Sequence, residues 1–396
     1  MNKKDQKSIL ILSTLSMIIA FSVWSILSPV AGKIQEMYGL TGLQKSILIA
    51  VPVLLGSVMR IPIGILADRL GGRRVYVLTM LFLTLPLIGA SFTTSYVGLL
   101  LCAFFIGMAG TTFAVSIAYV SGCYPSEKQG LILGIAGMGN LGTALASFLA
   151  PQIVNLWGLP WMFRIFALAI LIISIIFWFG TTELQRTKDR KKLRHSLDIM
   201  KNKETWVLSG YYFLTFGGFV TFSLYLPTLF QDLHHLNAVQ AGILTGIFVI
   251  GATFIRPVGG YLSDKFGAVK VLNIVFFSIL LTSVLIAFWQ GNLLLFMVEC
   301  LLMAIMLGTG NGAVFKRVAE VSQGNMGAVT GVVGAAGGLG GFFPPILLGI
   351  FKDYLGEYTL GFILLSLFAL VCLAYNSSRI RTIFTTSRKQ NASSLS

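Results

Sequence analysis

The chain has 396 residues, of which 56% are hydrophobic and only 11% charged, with a formal net charge of +15. An average soluble domain carries about 25% charged residues, and mean hydropathy here is +0.84. These values exclude an ordinary soluble enzyme and point to a chain that lives in a bilayer.

A spanning helix needs about 20 mostly apolar residues. Twelve such segments follow one another: 8–31, 43–67, 75–95, 97–123, 130–155, 160–182, 206–231, 238–263, 269–289, 291–315, 325–351 and 357–378. Each is too long and too uniformly apolar for a barrel strand, so helices are the expected spanning form. Lys3, Lys4 and Lys7 precede the first run as they would a secretory leader. The run is longer than the usual 7–15-residue apolar core of a leader, and no A-x-A-like site follows it. It is read as the first span. The expected fold class is an all-α polytopic membrane protein with twelve transmembrane helices in two pseudo-symmetric six-helix bundles.

The basic excess is a topology signal before it is anything else. With both termini placed in the cytoplasm, the tails and the loops on that side hold 23 of the 29 Lys and Arg. Lys33, Lys45, Arg164 and Lys352 fall on the opposite side, and Arg60 and Arg256 fall inside spans. This asymmetry places both termini inside. It removes the reason to invoke nucleic acid; the lipid bilayer is the expected macromolecular surround. Cys102, Cys123, Cys300 and Cys372 have no metal or redox spacing and read as small packing residues. No metal and no cofactor is expected, and no nucleophile–base pair appears in the spans, so the chain is not read as an enzyme.

The longest connection, 183–205, is dense in charge ("ELQRTKDRKKLRHSLDIMKNKET") and reads as a solvated cytoplasmic linker. It divides the chain into a first bundle over 1–182 and a second over 206–380, followed by a cytoplasmic tail over 381–396. The halves echo each other. "RIPIGILADRLGGRRV" (60–75) aligns without gaps with "RPVGGYLSDKFGAVKV" (256–271), at a constant offset of 196 residues. Arg60 meets Arg256, Gly64 meets Gly260, Asp68 meets Asp264 and Gly71 meets Gly267. "GLILGIAGMGNLG" (130–142) is echoed more loosely by "GAVTGVVGAAGGLG" (327–340). Internal repeats are common in secondary transporters, whose substrate sites lie near the midplane where the repeats meet.

The pattern G-x-x-x-D-R-x-G-G-R-R from Gly64 to Arg74, with its weaker copy around Asp264, resembles the signature of the major facilitator superfamily. Gly71 and Gly72 allow a tight turn. Asp68 can accept from backbone N–H groups at a neighbouring helix start. Arg69, Arg73 and Arg74 hold the loop on the cytoplasmic side.

The two intramembrane arginines carry the functional argument. Arg60 is eight residues from Asp68, about 12 Å into its helix, and half the hydrocarbon core is about 15 Å. Arg256 has the same count to Asp264. A central Arg costs at least about 2.5–3.5 kcal/mol on insertion scales, so each needs a partner. The apolar spans hold a single acid, Glu299, near the outer end of its span; the other acids lie in tails, loops or span ends. Two arginines without carboxylates point to a bound anion. A planar guanidinium fork matches a planar oxyanion bidentately, which favours nitrate, nitrite, formate or bicarbonate. A drug or sugar carrier on the same fold would want intramembrane acids or more polar side chains. Glu299 reads as a local partner rather than a proton relay.

Gly137-x-Gly139-x-x-Gly142 matches a dinucleotide pattern, but it lies in a membrane helix with neither the strand nor the acid that pattern needs. Close helix packing through small residues explains the glycines and leaves Asn140 unexplained. "GIAGMGNLG" (134–142) and "GVVGAAGGLGGFFPP" (331–345), with "GTTFAVS" (110–116), "YYFLTFGGF" (211–219) and "GNGAVFK" (310–316), resemble the nitrate/nitrite porter family within that superfamily. The resemblance implies a bacterial plasma-membrane carrier that works as a monomer and exchanges nitrate and nitrite by alternating access. Proton-coupled nitrate uptake is the alternative. It implies that Arg60 and Arg256 clamp the anion, Phe113 and Phe216 sandwich it, and Tyr212 and Asn140 donate hydrogen bonds. Gly134, Gly137, Gly139, Gly142, Gly334, Gly337, Gly338, Gly340 and Gly341 would then hinge and slide. From the residues alone, Phe113 and Phe216 read first as core packing, raised only by the motif match, and Tyr212 reads alternatively as an interfacial aromatic.

Overall fold

The computed structural model describes residues 3–124, 132, 135–183, 202–321 and 326–393; Gly134 and most of the central linker lie outside them, and so do the side chains of Asp68 and Arg69. Every regular element among the described residues is helical. Sixteen α-helices among the described residues run in chain order. The first half contains α1 (Lys3–Trp24), α2 (Ala31–Tyr38), α3 (Gly42–Val58), α4 (Arg60–Leu70), α5 (Gly72–Phe92), α6 (Tyr96–Ile106), α7 (Thr112–Ser121), α8 (Leu141–Trp157) and α9 (Leu159–Gly180). The second contains α10 (Lys203–His234), α11 (Ala238–Phe266), α12 (Ala268–Trp289), α13 (Leu293–Val321), α14 (Met326–Leu339), α15 (Phe343–Leu355) and α16 (Thr359–Ser393).

Ten helical stretches among the described residues are long and apolar enough to cross a membrane, and α3 is a shorter apolar helix beside them. The remaining expected span, 130–155, is described only in part. The helix α16 continues through 381–393, where the sequence suggested a tail. Its apolar part ends at Ser378, and Arg379, Arg381, Arg388 and Lys389 make up a polar extension.

Several spans are interrupted, which an apolar pattern does not reveal. Segment 43–67 breaks at Met59 into α3 and α4. Pro62 has no N–H for the carbonyl one turn earlier, and this weakens the ladder there. The fourth span changes to a 3₁₀ stretch at Gly107–Thr111, and the fifth contains another at Gly137–Asn140. The eleventh is divided between α14 and α15. Such breaks are tolerated at membrane depth where they are buried in protein or line a cavity.

The repeat extends further than the aligned letters. Thr41 caps α3 and Asn237 caps α11, each in a capping box closed by Gln44 or Gln240 at the same offset. Both copies end on a glycine with positive φ, Gly71 at φ +98° and Gly267 at φ +87°. A side chain there is strained by about 1–3 kcal/mol. Gly267→Ala should therefore lower the apparent melting temperature in detergent. Gly260→Ala should not, since nothing lies within 4 Å of the added carbon and its helix prefers alanine. Equal melting temperatures for the two variants would show that the turn tolerates a side chain.

The halves meet through α3 against α14 and α15, and through α8 against α11. At the second seam Gly242 lies on the carbonyl of Ser147 and Gly246 on the ring of Phe148. The helix α10 is the most enclosed span, with 94% of its apolar window buried. Tyr212 and Phe216 ride on it, which puts them at the centre of the molecule.

Candidate anion site

Arg60 opens α4 directly after the break at Met59. Its side chain is buried. Its Nε donates to the carbonyl of Gly110 at 3.2 Å and its Nη1 to the carbonyl of Gly334 at 3.0 Å. The first acceptor lies in the 3₁₀ stretch of the fourth span, where the regular ladder is interrupted and carbonyls are free to turn. The second belongs to α14, in the other half. The guanidinium therefore ties three interrupted spans together. Its carbon lies 5.4 Å from the centroid of Phe113 and 5.6 Å from that of Phe216.

Arg256 lies in the unbroken α11 and is only half-buried. Its Nη2 donates to the Tyr212 hydroxyl at 3.4 Å, and its guanidinium carbon lies 5.4 Å from the Phe315 centroid. The sequence repeat makes the two arginines twins; the structure gives them different surroundings.

Tyr212 links them. It is fully buried rather than part of an interfacial belt. Its ring stacks on Phe216 with centroids 4.9 Å apart and meets the edge of Phe315 at 5.0 Å. A continuous chain thus runs from Phe113 through Arg60, Phe216, Tyr212 and Phe315 to Arg256. Both rings expected to sandwich an anion lie around the guanidinium of Arg60.

What the site lacks is negative charge. The ion pairs among the described residues are Lys45–Asp232, Arg74–Glu183, Lys316–Asp264 and Arg317–Glu320. None includes Arg60 or Arg256. Arg60 Nη2 and Arg256 Nη1 are buried without a hydrogen-bond partner. Buried polar groups normally find partners, and an isolated buried charge is far costlier than an isolated dipole. Two orphan guanidinium N–H groups are the donor set that an oxyanion would satisfy.

Asn140 is buried. It closes the 3₁₀ stretch that starts at Gly137, and side chains three apart eclipse in that geometry. A Cβ on Gly137 would lie 3.8 Å from Arg256 Nη1, so Asn140 shares the face turned toward Arg256. The other glycines have separate tasks. Gly139 and Gly142 lie on α1, against Met17 and the backbone of Ile18. Gly337 faces the Tyr212 ring, Gly338 faces Ser57 and Arg60, Gly340 faces the backbone of Phe213 and Gly217, and Gly341 faces Val220. Gly334 supplies its carbonyl.

The residues expected in the cytoplasmic loop form a different constellation, away from the arginines. Arg73 packs over the Trp178 ring at 4.1 Å and donates to its carbonyl, and Arg74 pairs with Glu183 at 3.9 Å. Asp264 pairs with Lys316 at 2.5 Å. Gly64 has open space about it. Glu299 is buried, with one oxygen unpartnered. It is twelve residues before Asn311 on α13, about 18 Å along the axis.

Sequence reasoning missed Phe315, the ring beneath Arg256, and Asn311, one turn earlier and also buried with an unpartnered oxygen. The available signal was the polar amide in "GNGAVFK", deep in a span like Asn140. It also missed the carbonyls of Gly110 and Gly334, which carry no side-chain signal.

Known proteins agree with this architecture. The family model described as Major Facilitator Superfamily matches residues 13–345 and 234–390. A protein of Staphylococcus epidermidis called "Probable nitrate transporter NarT" is 36% identical over 94% of this chain and 96% of its own. Its Staphylococcus carnosus namesake is 38% identical over the same shares. Two crystal structures of a bacterial homologue of the human lysosomal transporter Spinster, both inward-facing, align with TM-scores of 0.76 and 0.77. They cover 97% and 96% of this chain and 99% and 98% of theirs, at 18% and 17% identity, a likeness of fold alone. The chain is a multi-pass membrane transport protein and belongs to the nitrate/nitrite porter family of the major facilitator superfamily.

Proposed function

We propose that the protein carries nitrate across a bacterial plasma membrane and exchanges it for nitrite, with both termini cytoplasmic. The observation that carries this reading is the pair of buried guanidinium N–H groups, on Arg60 and Arg256, that no carboxylate satisfies. The naming of the staphylococcal relatives supports the choice of anion. Nitrate is flat, singly charged and has three acceptor oxygens, so two forked donors can hold different edges of one ion. Asn140 and Tyr212 supply neutral donors beside them. The 1–182 and 206–380 halves rock about this point, and the breaks at Met59, Gly107–Thr111, Gly137–Asn140 and Gly340 let the spans bend.

The charge pattern also accounts for exchange. Without an anion, two like charges approach each other as the halves close, in a medium that screens them poorly. A bound anion turns that repulsion into bridging, so the loaded carrier switches more readily than the empty one. Proteoliposomes carrying internal nitrite should take up labelled nitrate, and liposomes with no internal anion should take up little. Equal uptake by empty liposomes under a pH gradient would instead establish proton coupling.

Phe315→Ala should slow this counterflow about tenfold. It removes the ring beneath Arg256 and the edge that steadies Tyr212, a cation–π and aromatic contribution of about 1–2 kcal/mol. Phe315→Tyr should retain most of the rate. Identical rates for the alanine and wild-type proteins would remove Phe315 from the site.

A further inference from the structure

The densest set of polar contacts between the halves lies at the end of the bundle opposite the termini, the outer end on the positive-inside reading. Lys45 on α3 is buried, with a side chain only 4% exposed. Its Nζ lies 3.3 Å and 3.4 Å from the two oxygens of Asp232 on α10. The Tyr358 hydroxyl donates to the same carboxylate at 2.6 Å. Beside them the N–H of Leu43 donates to Asp353 at 2.6 Å, and the Ser46 and Tyr225 hydroxyls are 2.8 Å apart. Lys45, Leu43 and Ser46 belong to the first half; Asp232, Tyr358, Asp353 and Tyr225 belong to the second. The three contacts that join the halves, Lys45–Asp232, Leu43–Asp353 and Ser46–Tyr225, must break for the outer end to open.

Lys45 is costly to place here. A buried ammonium is stabilised by its carboxylate, and loss of that partner leaves an uncompensated charge. When the halves part, Asp232 and Tyr358 leave with the second half and Lys45 stays on α3. This is the helix that leads to the break before Arg60, fifteen residues or about 22 Å further on. Lys45 and Ser57, which faces Gly338, both lie on the side of α3 that meets the second half. The lysine is then a cation at the mouth of a path that ends on two more cations.

We propose that Lys45 has two alternating partners: Asp232, braced by Tyr358, while the outer end is closed, and an incoming oxyanion when it is open. The carboxylate is a latch that masks the docking cation, and the anion competes with the latch. This rests on the transport reading above, and it assigns that reading an outer docking subsite and gate. A cation at this end, with Lys352 5.2 Å from the Tyr358 ring beside it, raises the local anion concentration and the capture rate, by about tenfold or more at low salt.

Two measurements test it. In right-side-out and inverted vesicles at low salt, Lys45→Met should raise the KM for nitrate on the outer face about tenfold and leave the inner-face KM within twofold. Lys45→Arg should restore the outer value. A rise on both faces, or on neither, overturns the docking role. Separately, a cysteine introduced at Ser28, buried beside Leu224 at the same seam, reports opening through labelling by an impermeant maleimide. Asp232→Asn and, as the gentler change, Tyr358→Phe should raise its labelling several-fold. Unchanged labelling in both overturns the latch. Wild-type vesicles that move no nitrate from either face would overturn the transport reading and the docking role with it; the labelling reads the latch without any substrate.

Discussion

Arg60→Lys should cut nitrate transport by about a hundredfold, although the charge stays in place. The guanidinium uses Nε for the carbonyl of Gly110 and Nη1 for that of Gly334, and it still has Nη2 unpartnered. A lysine ammonium is a single point at the end of a flexible stem and cannot reproduce this fork. It keeps at most one of the two carbonyls if it also faces an anion. A hydrogen bond to a charged group contributes about 1.5–3 kcal/mol, so one lost bond amounts to about 10–100-fold. Disturbance of the cation–π contacts with Phe113 and Phe216 adds to it. Arg256→Lys should be milder, because Arg256 is half-buried and holds one hydroxyl. Initial counterflow rates in proteoliposomes, with gel filtration to verify folding, check both variants. A lysine at 60 that transports at the wild-type rate would mean that charge alone suffices and that the fork is incidental.

The asymmetry between the two arginines is a finding that sequence alone does not reach. The repeat, the depth count and the absence of acids are all written in the letters, because they depend on spacing and composition. The same is true of the superfamily loop: positive φ at Gly71 and Gly267 follows from a turn that only glycine accommodates. Helix breaks are different. They arise from where a carbonyl loses its donor, and whether a proline bends a span or interrupts it depends on the neighbours that fill the gap. Thus Pro62 accompanies a break whereas Pro257 sits in a continuous helix. Both acceptors of Arg60 are backbone carbonyls, one of Gly110 in such a break and one of Gly334 within α14, so no residue type announces them. Phe315 was hidden for the opposite reason: one ring among 30 phenylalanines carries no signal until a guanidinium is found above it.

The seam at Lys45 follows the same logic. Lys45 and Asp232 are 187 residues apart, each in a stretch whose polarity fits a span end. Only the folded chain shows that they neutralise each other, and that the lysine is buried in doing so. The contrast with the central site is informative. At the seam a cation has a protein carboxylate; at the centre two cations have none among the described residues. A carrier that closes around an anion needs this division, since the gate must hold without substrate and the centre must not.

Gly340→Ala should impair transport at least tenfold and lower thermal stability, whereas Gly334→Ala should do neither. The two glycines share one motif, and a uniform hinge role would make them equivalent. The structure separates them. A Cβ on Gly340 would meet the backbone of Phe213 and come within 2.9 Å of the Gly217 Cα. From the other side a Cβ on Gly217 would lie 2.5 Å from the Gly340 Cα. Here α10 and the break after α14 touch backbone to backbone, and Thr221 donates to the Gly340 carbonyl at 3.2 Å. Backbone has no rotamer by which to yield, so an added methyl must push the elements apart. Overpacking of this kind costs about 1–3 kcal/mol, and the displacement would move Tyr212 and Phe216 on the same helix. At Gly334 nothing lies within 4 Å of the added carbon, and the carbonyl that receives Arg60 is retained by alanine. Melting temperature and counterflow rate, measured on both variants, separate packing from hinging. A well-folded Gly334→Ala protein that transports nothing would show that this position bends during the cycle and that its glycine is kept for motion rather than for space.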